Sequence, residues 1–216
     1  MGAGRGTSGQ GPGTGGGRSR RRRETPAEAR ARRAAVEDPA AVLAAAARLL
    51  ESRHRTVQEV RRRLTDAGYP SDLVDTAVAR LAELGYLDDE EFARAWVASR
   101  DRAHPRGERA LRQELARKGV ARDVIDEVLA QRAAAIAGDR PGEQLGASVE
   151  ERRAPGRDPD ETAAEHLLER RRAALERIAD VRIRRQRAYA LLARSGFDAA
   201  TCAEAASRFV AGTDEA

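Results

Sequence analysis

Apolar side chains recur along most of the chain at the three- and four-residue spacing of amphipathic helices. The stripes cover residues 42–50, 57–64 and 73–84, and similar stripes return after residues 88 and 160. Helix-capping residues precede them, as in Asp38-Pro39, in the capping box from Thr56 to Glu59 and in the four acids at 88–91. This pattern predicts an all-α protein.

The same pattern predicts which side chains lie inside. Leu84 is expected to close the apolar stripe of the third helix, and Ile183 is expected on the inner face of a later one. After residue 88 the inner face is predicted to carry Phe92, Ala95, Trp96 and Ser99. One helix is predicted over residues 160–178, and a short helix is predicted from Thr25 toward Ala35.

An internal repeat appears when three segments are superposed without gaps, at residues 63–69, 114–120 and 191–197. Each reads x-Leu-x-x-x-Gly-apolar. Leucine anchors the last turn of a helix, and glycine at positive φ turns the chain so that the apolar residue tucks back. The repeat predicts tandem three-helix, helix-turn-helix-like units. Their structural turns are Gly68, Gly119 and Gly196.

Changes in composition divide the chain. Residues 1–37 form a Gly/Arg-rich basic tail that is predicted to be disordered, because it holds too few apolar side chains to offset chain entropy. Glycine and proline mixed with charges predict a flexible linker at 138–161. The predicted repeats are 38–87, 88–137 and 162–211, and a short tail follows at 212–216.

The net charge of +5 is unevenly distributed. Residues 1–35 hold nine arginines against Glu24 and Glu28, which is +7, so the remaining residues sum to about −2. A basic tail attracts polyanions, chiefly nucleic acid, through counterion release. Inside the body, charge can act only through local patches. Lys118 is the only lysine, a sign of codon bias that weakens arginine abundance as evidence of function.

Motifs for enzymatic chemistry are missing from the sequence. There is no phosphate-binding loop, nucleophile elbow or zinc-protease motif. The three histidines lack metal-ligand spacing, at His54, His104 and His166. Cys202 is the only cysteine, which excludes an intramolecular disulfide, and it is expected to be a small buried side chain. We expect no metal, no cofactor and no enzymatic activity.

The sequence also carries no membrane or secretion signal. No apolar run approaches the ~20 residues that span a bilayer, and the N-terminus lacks the apolar region of a secretory signal. We expect a soluble, cytoplasmic protein, which fits the single cysteine.

Arginine clusters recur at similar places in the predicted repeats. The stretch 98–118 carries a local excess of four positive charges, and such faces can meet DNA phosphate or an acidic protein groove. The alternative is a solvated helix face with intrahelical Arg–Glu pairs. The candidate contact residues are Arg61, Arg62, Arg63, Arg100, Arg102, Arg106, Arg109, Arg112, Lys118, Arg184 and Arg185.

Phe92 and Trp96 stand four residues apart on one predicted helix. Aromatic side chains exposed together can stack on nucleic-acid bases. A pair at this spacing also suits packing between repeats, which is the interpretation we favour here. Tyr86 and Tyr189 are expected in the core or at its rim.

Two stretches resemble the RecX family of regulatory proteins. Residues 84–93 read LGYLDDEEFA, and residues 106–120 read RGERALRQELARKGV. The resemblance covers about residues 38–211, is strongest over 81–130 and is weaker in the third repeat. The tail and the 138–161 insertion depart from the family pattern, so no role is carried over to them.

The resemblance implies an elongated, curved array of three-helix repeats. It also implies a protein, expected to be a monomer, that binds the RecA–DNA filament and restrains its growth, ATP hydrolysis and strand exchange in recombination, DNA repair and the SOS response. The implied partners are the RecA filament and DNA, contacted directly or through the filament. The residues themselves establish only a tandem helical repeat with basic patches.

Two other functions remain open at this point. Helix–Gly–helix units resemble helix-turn-helix motifs, which predicts an autonomous DNA-binding or nucleoid protein; the slightly acidic body argues against strong autonomous binding. A helical-repeat scaffold for another protein would have no effect on the recombinase and no dependence on DNA.

Overall fold

The computed structural model describes residues 24–138 and 158–214, so residues 1–23 of the predicted tail and 139–157 of the predicted linker lie outside the described residues. Every regular element in the described part is a helix. The helices are α1 Pro26–Ala34, α2 Pro39–Leu50, α3 Val57–Ala67, α4 Ser71–Glu83, α5 Asp89–Ala103, α6 Glu108–Arg117, α7 Arg122–Gly138, α8 Pro159–Glu169, α9 Arg172–Glu176, α10 Val181–Arg194 and α11 Ala199–Asp214.

Three separate hydrophobic clusters organise these helices. We name the groups module 1 (α2–α4), module 2 (α5–α7) and module 3 (α8–α11), and each surrounds its own cluster. Alanine and leucine fill much of these clusters, so each core is small and depends on close helix contact. The predicted all-α class, built from tandem three-helix units, is confirmed.

Local signals set the ends of the helices as predicted. Thr25 and Glu28 form a reciprocal capping box at α1, and the Asp38 carboxylate accepts a hydrogen bond from the Ala40 backbone at α2. The three repeat glycines all have positive φ, which confirms them as left-handed turns: Gly68 at 99°, Gly119 at 85° and Gly196 at 88°.

Two predictions near the N-terminus need correction. Helix α1 confirms the short helix predicted from Thr25 toward Ala35, so residues 24–37 do not belong to a disordered tail; the Arg30 and Arg33 side chains hold α1 by donating to the carbonyls of Asp66 and Ala67. The capping box at Thr56 is only half formed, because the Glu59 carboxylate binds arginine side chains in place of the Thr56 backbone.

Some predicted inner positions are exposed. Leu84 is 48% exposed, because α4 ends one residue earlier and the chain leaves the helical stripe. On α5, Ala95 and Ser99 face solvent, whereas Ala93 and Val97 are buried beside Phe92. The inner face of α5 is therefore rotated by part of a turn from the predicted one.

Further corrections concern module 3. Ile183 is 47% exposed. It lies in the first turn of α10, which has 14 residues, whereas the equivalent helices α3 and α6 have 11 and 10. The single helix predicted over 160–178 is two helices in the structure. Helix α8 ends at Glu169, and α9 begins at Arg172. Residues 158–161, assigned to the linker from sequence, form the N-cap and first turn of α8.

Modules 1 and 2 meet at a joint between two helix ends. The Thr56 hydroxyl, at the N-cap of α3, donates to the Lys118 carbonyl at the end of α6 at 2.6 Å. The Val57 backbone N–H donates to the Asp89 carboxylate at 2.9 Å. Gly119 lies directly against Gln58. A free backbone donor at the start of α3 is thus satisfied by a carboxylate of module 2.

Modules 2 and 3 repeat this arrangement. The Gly107 N–H, at the N-cap of α6, donates to the Ser195 carbonyl at 3.2 Å. The Glu108 N–H donates to the Asp160 carboxylate at 2.7 Å. Gly196 lies directly against Ala110. The middle helices of modules 1 and 2 therefore each start against the glycine turn of the following module.

Candidate functional site

A group of charged and aromatic side chains covers the joint between modules 1 and 2. On module 2, Glu114 accepts hydrogen bonds from the Trp96 indole at 2.9 Å and from Arg100 at 2.7 Å, and Arg106 lies 3.7 Å away. The Lys118 ammonium lies 3.9 Å and the Arg100 guanidinium 4.3 Å from the centre of the Trp96 ring. Arg100 is therefore held by both a carboxylate and an aromatic face, and Lys118 lies against the same aromatic face.

Module 1 contributes a matching group around Glu59. Its carboxylate pairs with Arg53 and Arg55 at 2.5 Å and with Arg63 at 3.0 Å. We name the two groups together the junction cluster: Arg53, Arg55, Glu59, Arg63, Trp96, Arg100, Arg106, Glu114 and Lys118.

Electrostatics joins the two halves of the cluster. Burial lowers the pKa of Lys118, and repulsion from Arg53 and Arg100 lowers it further, while Glu59 and Glu114 oppose this. Burial alone would raise the pKa of Glu114, but the hydrogen bonds from Arg100 and Trp96 outweigh it and hold the pKa below its ordinary value. Burial would likewise raise the pKa of Glu59, but hydrogen bonds from its three arginine partners lower it, so both carboxylates are ionised at neutral pH.

The cluster keeps an excess of positive charge. Its six cations, Arg53, Arg55, Arg63, Arg100, Arg106 and Lys118, face two carboxylates, which leaves a surplus of four. Such a surplus on a pre-ordered surface suits phosphate or carboxylate groups of a large ligand.

The structure separates the sequence-predicted site residues into groups. Arg63, Arg100, Arg106 and Lys118 come together in the junction cluster. Arg61 pairs with Asp75, and Arg112 pairs with Glu108 and Asp126, so these two arginines tie neighbouring helices together. The remaining surface-exposed candidates lie outside the cluster: Arg62, Arg102, Arg109 and Arg185.

Arg184 corrects the prediction of a surface contact. Its side chain is buried, with the residue only 9% exposed, and it donates to the Ile178 carbonyl at 3.0 Å. It stabilises the segment that enters α10 and is not positioned to reach a partner.

Sequence reasoning missed part of the cluster. Arg53 and Arg55 lie in the connection before α3, where no helical face groups them with the other arginines. The signal available was Glu59, which is followed by Arg63 at the spacing of a helical ion pair. Phe92 is buried, and its ring stacks against Trp96 at 6.1 Å, which agrees with packing rather than base stacking for Phe92.

Other chemistry is sparse in the described residues. No group of three potential metal ligands occurs among them, and none of the described helices is long and apolar enough to cross a membrane. Cys202 is buried as predicted, and burial raises the pKa of its thiol.

Comparison with known proteins gives consistent matches. Residues 43–81 match the model of the first three-helix domain of RecX, and residues 88–129 match that of the second. Solved RecX structures have the same fold. The crystal structure of RecX from Lactobacillus salivarius covers 83% of this chain and 99% of its own, with a TM-score of 0.56 at 16% identity. A second RecX crystal structure gives a TM-score of 0.55 over 76% of this chain and 70% of its own, at 19% identity.

Sequence relatives are closer than these structures. Regulatory protein RecX of Mycolicibacterium vanbaalenii is 42% identical over 57% of this chain and 66% of its own length, and that of Mycolicibacterium smegmatis is 47% identical over 38% and 44%. These alignments span less than two thirds of each relative. The RecX protein of a Mycobacterium species, strain JLS, is 40% identical over 59% of this chain and 68% of its own length. From these matches and the tandem three-helix fold, the chain belongs to the RecX family.

Proposed function

We propose that this protein binds the RecA–DNA filament and mainly inhibits its assembly, ATP hydrolysis and strand exchange, in recombination, DNA repair and the SOS response. Membership of the RecX family is the observation that carries the proposal. The protein would act without catalytic activity of its own, as a cytoplasmic monomer. Its partners would be the recombinase filament and DNA.

The junction cluster supports this proposal as an anion-binding surface. Its surplus cations are held by Glu59, Glu114 and Trp96, so little side-chain entropy is lost when a phosphate binds. Phosphate contacts position a protein on nucleic acid without reading its sequence. Contacts of this kind suit a regulator that meets DNA through its backbone.

The joints between modules support a mechanical role. Partly buried hydrogen bonds connect module 1 to module 2 and module 2 to module 3, so the described modules form a continuous series rather than loosely tethered domains. A series of this kind can lie across neighbouring recombinase protomers. It would then oppose protomer addition and the interprotomer changes that accompany ATP turnover.

The test is the ATPase rate of the cognate recombinase on single-stranded DNA, titrated with the full chain and with a chain that lacks residues 1–23. We expect inhibition at sub-stoichiometric ratios by both, because the truncation keeps α1 and all three modules. The variant Arg53→Glu should weaken inhibition by roughly tenfold, equivalent to about 1.4 kcal/mol.

Arg80→Glu is the matched control. Arg53 and Arg80 are similarly exposed, at 48% and 55% of the side chain, and each pairs with a nearby glutamate, but Arg80 lies on α4 outside the junction cluster. The Arg80→Glu variant should therefore inhibit the recombinase as strongly as the natural protein does. No inhibition by the full chain in excess would refute the proposed function, and tight DNA binding without recombinase would then favour an autonomous DNA-binding protein.

A further inference from the structure

A groove runs between α10 and α11 of module 3. Its volume is about 440 Å³. Its walls combine cationic, polar and apolar side chains, from Arg182, Arg185, Gln186, Tyr189, Ala203, Ala206 and Ser207. A second depression, formed in part by Val181, shares Arg182, Arg185 and Ser207 and extends the groove toward the start of α10.

The repeat explains why the groove is open in this module. The residues seven before and seven after the turn glycine are Arg61 and Asp75 in module 1, and they pair at 2.8 Å. In module 2 they are Arg112 and Asp126, which also pair. In module 3 the same positions hold Tyr189 and Ala203, which cannot form an ion pair. A clamp between the two helices is thus lost.

A second change deepens the groove. The residue ten after the turn glycine is Val78 in module 1 and Leu129 in module 2, and both are buried. In module 3 it is Ala206, which is also buried but has a smaller side chain. The smaller side chain leaves the space between α10 and α11 unfilled, and Tyr189 stands beside it with 39% of its surface exposed.

The lining indicates the chemistry of a ligand. It contains two arginines and no carboxylate, so it favours a negatively charged partner. The lining also contains the apolar surfaces of Tyr189, Ala203 and Ala206, which a charged sugar–phosphate backbone alone would not cover. A protein segment with acidic residues around an apolar side chain satisfies both parts.

We propose that the groove between α10 and α11 is a docking site for an acidic protein segment that inserts an apolar side chain beside Tyr189. In the setting of the proposed function, on which this assignment of the partner rests, the segment belongs to the recombinase. Module 3 would then hold the protein partner, while the junction cluster meets phosphate.

The test closes the groove with the residues that its sister modules use. The double variant Tyr189→Arg/Ala203→Asp, called the closed variant below, installs the ion pair of modules 1 and 2. Both positions are exposed on their helices, where charged side chains are tolerated. Arg185→Glu reverses one charge of the lining. The matched control, Arg61→Ala/Asp75→Ala, removes the clamp of module 1 and leaves module 3 unchanged. Circular dichroism and thermal melting establish that each variant is folded.

Two probes are titrated into each full-length protein and followed by fluorescence anisotropy. One is a labelled peptide of glutamates interspersed with leucine, and the other has lysine in place of glutamate. We expect the acidic peptide to bind the natural protein and the control equally, and to bind both groove variants about tenfold more weakly. Equal binding by the closed variant, or preference for the lysine peptide, overturns the proposal.

Two further measurements separate this proposal from the proposed function. The first is the affinity of a labelled oligonucleotide for the natural protein and the closed variant. If the closed variant binds the oligonucleotide more weakly but binds the acidic peptide equally well, the groove is a nucleic-acid site and the proposal is overturned. Inhibition of recombinase ATPase is then compared between the natural protein and the closed variant, and we expect weaker inhibition by the variant. If the closed variant loses peptide binding but still inhibits the recombinase fully, only the assignment of the segment to the recombinase is overturned, and the docking site itself stands.

Discussion

At the scale of single residues, the repeat glycines have two separate reasons to be glycine. The first is backbone conformation, since Gly68, Gly119 and Gly196 all have positive φ. The second is space: an added Cβ at Gly119 would lie 2.5 Å from the Cβ of Gln58 on the neighbouring module. The sequence motif predicted the first reason, and only the joint reveals the second.

Gly85 offers a control for this distinction. Its φ is 73°, and no atom lies within 4 Å of an added Cβ. We expect Gly85→Ala to cost about 1 kcal/mol of unfolding free energy, from backbone strain alone. Gly119→Ala should cost at least about 2 kcal/mol more, because the joint must also move. Urea denaturation measures both, and equal losses would mean that close packing at Gly119 is unimportant.

At the scale of the elements, carboxylates in the junction cluster tie helices together. Glu114 of α6 holds Trp96 and Arg100 of α5. The Glu59 carboxylate links α3 to the connection that precedes it. The sequence predicted these helices and most of their ends, but helical periodicity does not say which charged face of one helix meets that of another.

The lowered pKa of Glu114 gives a pH prediction. Because its folded-state pKa lies below the ordinary value of 4.5, the ionised carboxylate stabilises the fold above that pH. This stabilisation is lost as the pH falls through the lowered pKa, where the cations also lose their counter-charge. We expect Glu114→Gln to be less stable than the natural protein at pH 7 and to differ less from it at pH 3.

Thermal melting as a function of pH measures this difference. Glu83→Gln is a suitable control, because Glu83 pairs with Arg80 on the exposed face of α4 and should change the profile little. A stability difference between Glu114→Gln and the natural protein that stays constant from pH 7 to pH 3 would contradict the prediction.

At the scale of the whole molecule, Arg132 of α7 connects modules 2 and 3. Its buried guanidinium pairs with Asp101 at 2.9 Å and with Asp160 of α8 at 2.8 Å. Helix α1 lies against the glycine turn of module 1, as the helix starts of modules 1 and 2 lie against the glycine turns of the following modules.

Replacing Arg132 tests how firmly the modules are joined. Arg132→Ala leaves the buried Asp160 carboxylate without its counter-charge, and we expect a loss of about 3 kcal/mol of unfolding free energy. Arg132→Lys keeps the charge but not the planar fork that reaches two carboxylates, so it should lose less. Chemical denaturation gives the energies. Small-angle X-ray scattering should detect a wider range of shapes for Arg132→Ala, and an unchanged curve with unchanged stability would contradict a bridging role.

The sequence by itself determined the all-α class, the glycine turns and most helix starts, because these depend on side chains a few residues apart. It also carried the RecX signature in residues 84–93 and 106–120. The inner face of α5, the burial of Arg184 and the membership of the junction cluster were decided by the tertiary structure. The physical reason is that each depends on contacts between distant residues, such as Thr56 with Lys118 or Arg132 with Asp160, whose pairing follows from how modules stack and not from periodicity.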